Sequence, residues 1–274
     1  MVTAKEPENK SRLTSDQPTS RLARLATQRT AHRQRRVWSA RVRSWDQHGA
    51  PALANVTAAV IEAAAVQPGD LVIDLGSGTG QISIPLAMRG AEVLAVDVSP
   101  VMARQLDSEA RQRNLSSLYT VAVPIEELAL PAESADLIVS SYALHHLRDA
   151  DKERLVAAAF SWLKPGGRLV LADMMFGRGG SSRDREIIRV KLTALAKKGP
   201  GGWWRIVKNV ARYQLRIQEC PISMTAWTTL FDRAGFTHLT AADIVAEAGL
   251  VTGQRPGSSQ SRLDLQPPAI RASV

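Results

Sequence analysis

The sequence predicts an α/β fold with a doubly wound, mostly parallel sheet, and three observations carry that reading. Leu71-Val72-Ile73-Asp74-Leu75 is a short, branched, apolar run between turn residues, the pattern of a strand covered on both faces. It runs directly into Gly76-Ser77-Gly78-Thr79-Gly80-Gln81, with glycines at alternate positions. Such a loop tolerates positive φ, lets a ligand lie against the backbone, and presents the free N–H groups of a following helix to an anionic group. A second strand-like run, Glu92-Val93-Leu94-Ala95-Val96-Asp97, ends in an acid 23 residues after Asp74. Doubly wound folds place a ribose-binding carboxylate near that distance.

Spacing narrows the ligand. A dinucleotide fingerprint is G-x-G-x-x-G. Its third glycine would fall at Gln81, so the pattern here is instead D-x-G-x-G-x-G with an acid closing the strand.

In chain order, residues 1–32 are polar, basic and poor in aromatics, and read as a disordered tail. From Arg33 to Asp46, Val37, Trp38, Val42 and Trp45 fall at helical spacing. Leu53 to Ala65 reads as the helix before the first strand, with Pro68-Gly69-Asp70 as its turn. After strand 71–75 and the glycine loop, a helix runs to about Arg89 and stops at Gly90. Strand 92–96 leads to a helix capped by Ser99 with Pro100 at its first position. The third strand is 119–123 and the fourth 136–141, and residues 142–147 form the loop after it. A helix over 150–162 carries Leu155, Ala158 and Ala159 on one face, with Leu163 just beyond its end. Lys164-Pro165-Gly166-Gly167 is a tight turn before strand 168–174. Residues 176–222 interrupt the alternation with helical patterns at 183–198 and 203–217. A helix over 223–234 stops at Gly235, strands follow near 237–243 and 248–254, and residues 257–274 form a loose tail rich in Ser, Gln and Pro.

The ordered set Asp74-Leu75-Gly76-Ser77-Gly78-Thr79-Gly80, Asp97, Asp136-Leu137-Ile138-Val139-Ser140-Ser141, Leu144-His145-His146-Leu147 and Leu163-Lys164-Pro165-Gly166-Gly167 resembles the class I S-adenosylmethionine (SAM)-dependent methyltransferases. The wording is closest to the broad group of quinone-biosynthesis and natural-product enzymes. The resemblance implies a Rossmann-like sheet with an antiparallel last strand, one domain over 33–256, and a helical cap insert at 176–222. It implies SAM as cofactor, held by Asp74, Gly76, Ser77, Gly78, Gly80 and Gln81. Asp97 would lie at the ribose with Val98 as a further cofactor contact, Met102, Ile125 and Glu126 at the adenine, and Ser140 at the end of strand four. It also implies an N-terminal helix closing over the cofactor, with Trp38 or Trp45 either near the site or packed on the core. One departure stands out. Many members carry Gly-Asp-Ala after strand three, where this chain has Val123-Pro124-Ile125. Pro124 offers neither carboxylate nor N–H, so adenine recognition falls to the Ile125 N–H, with Glu126 as the substitute acid.

Methyl transfer needs alignment above all, and a base only where the acceptor must lose a proton. His145 and His146 are the base candidates, since imidazole titrates in the neutral range. Otherwise they shape the pocket or satisfy buried backbone groups. Asp173 is a second candidate, or else a strand-end cap.

Composition bounds the rest. The chain of 274 residues is 45% hydrophobic, enough for one sizeable core, and no apolar run reaches spanning length. The N-terminus lacks the apolar centre of a secretory signal, and the single cysteine, Cys220, cannot make an internal disulfide. A cytoplasmic location is expected. The net charge of +9 is uneven: residues 1–45 carry +8, residues 178–216 carry +9, and the remainder is −8. In 203–217, Arg205, Lys208, Arg212 and Arg216 oppose a side bearing Trp203, Ile206, Val210 and Tyr213. That helix is expected to cap the acceptor pocket, with peripheral contact to an anionic membrane as the competing role. Residues 140–147 lack the Pro-Pro-aromatic signature of amino-directed nucleic-acid methylases, a nucleophilic cysteine and paired glutamates. A small-molecule or lipid-like acceptor, attacked through O, C or N, is therefore expected. The alternatives are an RNA-directed enzyme using the basic segments and a SAM-binding protein without catalysis.

Overall fold

The computed structural model describes residues 34–37, 39, 51–177, 184–187, 189, 193, 220–245 and 247–257. Trp38, Trp45, both tails and the 203–217 segment lie outside the described residues. Of the helix expected over 183–198, residues 184–187, 189 and 193 are described, and they are helical.

Helix α1 (Pro51–Ala64) precedes β1 (Leu71–Leu75), and α2 (Ser83–Met88) joins it to β2 (Glu92–Asp97). Then come α3 (Pro100–Gln112), β3 (Leu118–Ala122), β4 (Ala135–Ser141), α4 (Asp149–Trp162), β5 (Leu163–Met174), α5 (Met224–Ala234), β6 (Thr237–Val245) and β7 (Ala248–Gln254). Short 3-10 turns span Ile125–Glu127 and Leu144–His146. The sheet order is β3-β2-β1-β4-β5-β7-β6. The first five strands pair in parallel, and β7 runs antiparallel to both neighbours. The order reverses between β1 and β4, and a doubly wound sheet opens its ligand crevice at the carboxyl ends of that pair.

Alternation along the strands feeds two apolar layers. Val72, Leu137 and Val139 face a layer that also holds Val56, Val60, Leu86 and Leu106, on the side of α1, α2 and α3. Ile73, Leu75 and Ile138 face the opposite layer with Leu155, Trp162, Trp227 and Phe231, on the side of α4 and α5. Both faces are therefore dry, which is why these strands read as continuous apolar runs. The expected stops are present: the Ser99 hydroxyl accepts from Met102 N, the Ser223 hydroxyl accepts from Ala226 N, and Gly235 ends α5 at φ +97°.

One boundary differs. The turn expected at 164–167 lies within β5, which begins at Leu163. Pairing to β4 runs from Ala135↔Leu163 to Leu137↔Arg168, so the extra residues bulge out of the ladder. Gly166 takes φ +83° there, and the Lys164 ammonium holds the bulge on the Asp136 carboxylate at 2.8 Å. Among the described residues, no helix is long and apolar enough to cross a membrane.

Candidate functional site

A cleft of about 930 Å³, open to solvent, lies over the carboxyl ends of β1 and β4. Its floor is the glycine loop. Gly76 and Gly78 both adopt positive φ, +80° and +54°, but for different reasons. A Cβ on Gly76 would stand 2.2 Å from the Ala143 Cβ, so this glycine lets the loop after β4 close onto the loop after β1. A Cβ on Gly78 would meet only the Met102 sulfur, at 4.0 Å, and so would occupy the cleft itself. Gly80 does not line the cleft. A Cβ there would collide with the Leu106 side chain of α3 and press on Ile84 of α2.

Asp97 lines the cleft, and its carboxylate is built into the loop. One oxygen accepts from Gly78 N at 2.9 Å and the other from Ser99 N at 2.7 Å. Burial raises its pKa, and the two N–H donors partly offset that rise. Val98 and Gln81 line the same end. Ser77 lines it too, and its hydroxyl is buried with no hydrogen-bond partner among the described residues. An orphaned buried hydroxyl is costly unless a ligand engages it.

Asp74 is 1% exposed, borders the cleft and accepts from the Ser83 hydroxyl at 2.5 Å. Burial pushes its pKa up to about 7, against the Ser83 hydrogen bond and with the help of the Asp97 charge. Asp74 therefore changes charge within the neutral range, and its ionised form is favoured when a cation sits beside it.

Met102, Ile125 and Glu126 meet on one side of the cleft. Pro124 starts the turn that carries the last two, at φ −58°. Burial raises the Glu126 pKa, as do the nearby Asp151 and Glu127 charges.

The loop after β4 separates residues that the sequence left together. Ser140 is fully buried and donates to Leu75 O at 2.7 Å, whereas Ser141, on the other face of the strand, lines the cleft. His145 turns inward. Its Nδ1 meets Asp173 Oδ1 at 2.5 Å, and its backbone N–H donates to Asp173 Oδ2 at 2.8 Å. Burial alone would raise the Asp173 pKa, but the His145 ring beside it brings it below the ordinary carboxylate value. Asp173 thus anchors His145 and does not itself reach the cleft. His146 does line the cleft, with its ring centroid 4.0 Å from that of His145.

Several lining residues have no sequence signal of their own. Gln34 donates to His146 O at 3.4 Å, Arg35 donates to Val98 O at 3.3 Å, and the Ser39 and Ser99 hydroxyls lie 2.9 Å apart. The helical residues among 34–39 therefore touch both the loop after β4 and the residues that follow β2. Leu53, Ala143 and Leu147 supply apolar wall, and Tyr142 lines it at φ +50°. A non-glycine residue in that region stores strain and marks a position fixed by its surroundings.

Residues 72–167 match the family model described as a methyltransferase domain. The chain is 31% identical over 182 residues to an uncharacterized methyltransferase of Geobacillus kaustophilus, covering 65% of this chain and 74% of that relative. It is 30% identical over 140 residues to another from Geobacillus thermodenitrificans, covering 51% of this chain and 60% of that one. The fold is similar to that of Haemonchus contortus phosphoethanolamine N-methyltransferase 2 in complex with phosphomonomethylethanolamine and S-adenosylhomocysteine. The TM-score is 0.57 at 14% identity, covering 74% of this chain and 52% of that one.

Proposed function

Because the chain belongs to the class I SAM-dependent methyltransferases, we propose that it methylates a small or lipid-like acceptor seated beside His146. The observation that carries this reading is one cleft with two kinds of lining: the glycine loop with Ser77 and Asp97, and His146 with the largely apolar Leu53, Tyr142, Ala143 and Leu147.

The residues present fit the cofactor. Gly78 leaves open the space a Cβ would fill, and Ser77 offers an unpartnered hydroxyl. Asp97 would take the ribose hydroxyls on its remaining lone pairs, and Met102 with the Ile125–Glu127 turn would hold the adenine. The acids Asp74 and Asp97 would favour the cationic end. SAM supplies an electrophilic methyl on a sulfonium, so the protein's work is alignment. Leu53, Ala143 and Leu147 would exclude water from the acceptor half, and His146 would take the proton of an acceptor O–H, N–H or acidic C–H.

The lining charge bears on the acceptor class. Asp74, Asp97 and Glu126 are acids, and among the described lining residues there is no Lys or Arg. That potential opposes a polyanion, which favours a compact acceptor over an RNA strand.

The test uses SAM with an isotopically labelled methyl group and a metabolite extract, read by mass spectrometry. A labelled small product is expected. His146→Gln should cut its formation about 100-fold or more while SAM affinity stays within about threefold. Wild-type turnover by His146→Gln removes His146 from the chemistry, and label appearing only in RNA overturns the acceptor class.

A further inference from the structure

Lys152 lies at the end of the first turn of α4 and its side chain is fully buried. Its ammonium donates to Leu147 O at 2.5 Å and to Cys220 O at 2.6 Å, with Asp149 Oδ1 at 3.6 Å. Cys220, in turn, donates its backbone N–H to His145 O at 2.6 Å. The Cys220 peptide is thus held from both sides, by the His145 carbonyl and by the Lys152 ammonium. Leu147 and His146 line the cleft between those two anchor points.

We propose that Lys152 is a positioning residue for methyl transfer: its buried ammonium clamps the turn bearing His146 against the Cys220 backbone and so fixes where the imidazole stands in the cleft. The proposal rests on the placement of His146 at the acceptor.

Burial energetics favour a positioning role over a stabilising one. Removing an ammonium from water costs several kcal/mol, and buried charges are often replaced by apolar residues of similar volume with no loss of stability. What an apolar side chain cannot do is join two carbonyls, Leu147 O and the distant Cys220 O, with directed donors. Within the turn, His146 N–H donates to Ala143 O at 3.3 Å and Leu147 N–H to Leu144 O at 3.0 Å, and Asp173 fixes His145. The Lys152 ammonium is what links the Leu147 end of the turn to the Cys220 segment. Loss of the Leu147 anchor therefore cuts the link between the Cys220 segment and the end of the turn that carries the cleft-lining His146 and Leu147.

The experiment reads the geometry of His146 without turnover, so it stands apart from the activity result for His146→Gln. Histidine-labelled protein is compared by NMR as wild type and Lys152→Met, with His146→Gln assigning the His146 signal. In wild type, the carbon-bound ring protons of His146 should be displaced by the His145 ring, which lies 4.0 Å away centroid to centroid at a tilt of 48°. In Lys152→Met that displacement should be lost, while SAM affinity by calorimetry stays within about threefold. Retention of the full displacement in a folded Lys152→Met protein overturns the proposal. If Lys152→Met does not fold, Lys152→Gln is read in the same way. If neither folds, Lys152 belongs to the core, which also overturns it.

Discussion

Replacing Asp74 by Asn should make the ligand-free protein more stable at pH 8 than the wild type, and the size of the gain follows from the carboxyl's surroundings. Burial, with the Asp97 charge close by, pushes the Asp74 pKa up to about 7 in the folded protein from an ordinary 3.8. Between those values the folded state holds a proton that the unfolded state has released, so stability contributed by this group falls as pH rises from 4 to 7 and is flat above. The full difference corresponds to a ceiling of about 4 kcal/mol at pH 8. Asn is neutral throughout and keeps an oxygen to accept from the Ser83 hydroxyl. Its amide N–H₂ lacks a partner of its own, which costs about 1–3 kcal/mol at every pH. The robust quantity is therefore the change in Tm on substitution at pH 8 minus that at pH 5. Between pH 5 and pH 8 the carboxyl contributes about 2–3 kcal/mol of that ceiling, which for a domain of this size corresponds to roughly 4–12 °C. Scanning calorimetry of both proteins at the two pH values measures it. A difference of zero would mean that Asp74 is ionised at no cost, and the reasoning from burial would be refuted.

The same titration predicts that SAM binds the wild type more tightly as pH rises from 5.5 to 7.5, by up to about thirtyfold, with the slope absent in Asp74→Asn. A pH-independent affinity measured by calorimetry would show that the cation does not draw on Asp74. Asp97→Ala should weaken SAM by roughly 2–3 kcal/mol, since it removes the ribose acceptor and frees the Gly78 amide that the carboxylate holds at 2.9 Å; unchanged affinity in folded protein would falsify that role. Gly76→Ala should destabilise the fold by about 2 kcal/mol or more, because its methyl meets the Ala143 Cβ at 2.2 Å and its φ of +80° strains any L side chain. Adding Ala143→Gly should recover part of the loss in a denaturant midpoint, and no recovery would place the conflict elsewhere.

The parts of the molecule that were legible in the sequence are those whose cause is local. Branched runs between turn residues located the strands, and Ser99 before Pro100 located a helix start. Alternate glycines after Asp74 located the cleft floor. What was not legible depends on distant partners. Adjacent histidines look equivalent until Asp173, 28 positions on, takes His145 and leaves His146 to the cleft. Ser140 and Ser141 differ only in which face of β4 each occupies, and nothing local says which face opens. Lys152 stands in Asp149-Ala150-Asp151-Lys152-Glu153-Arg154, a string that reads as a solvated helix face, yet it is buried because two carbonyls converge on it. Gln34 carries no pattern at all.

The Asp97 carboxylate, bonded at once to the Gly78 and Ser99 amides, has a kinetic consequence. A loop tied at its midpoint before any ligand arrives does not need to be ordered during association, and that part of the entropy is already lost. Those two amides should then exchange slowly with deuterium in the free protein, as members of the same cooperative unit as β2. Under stopped flow, the observed rate of SAM capture should rise in proportion to concentration without a plateau, since no slow rearrangement of this loop precedes the encounter.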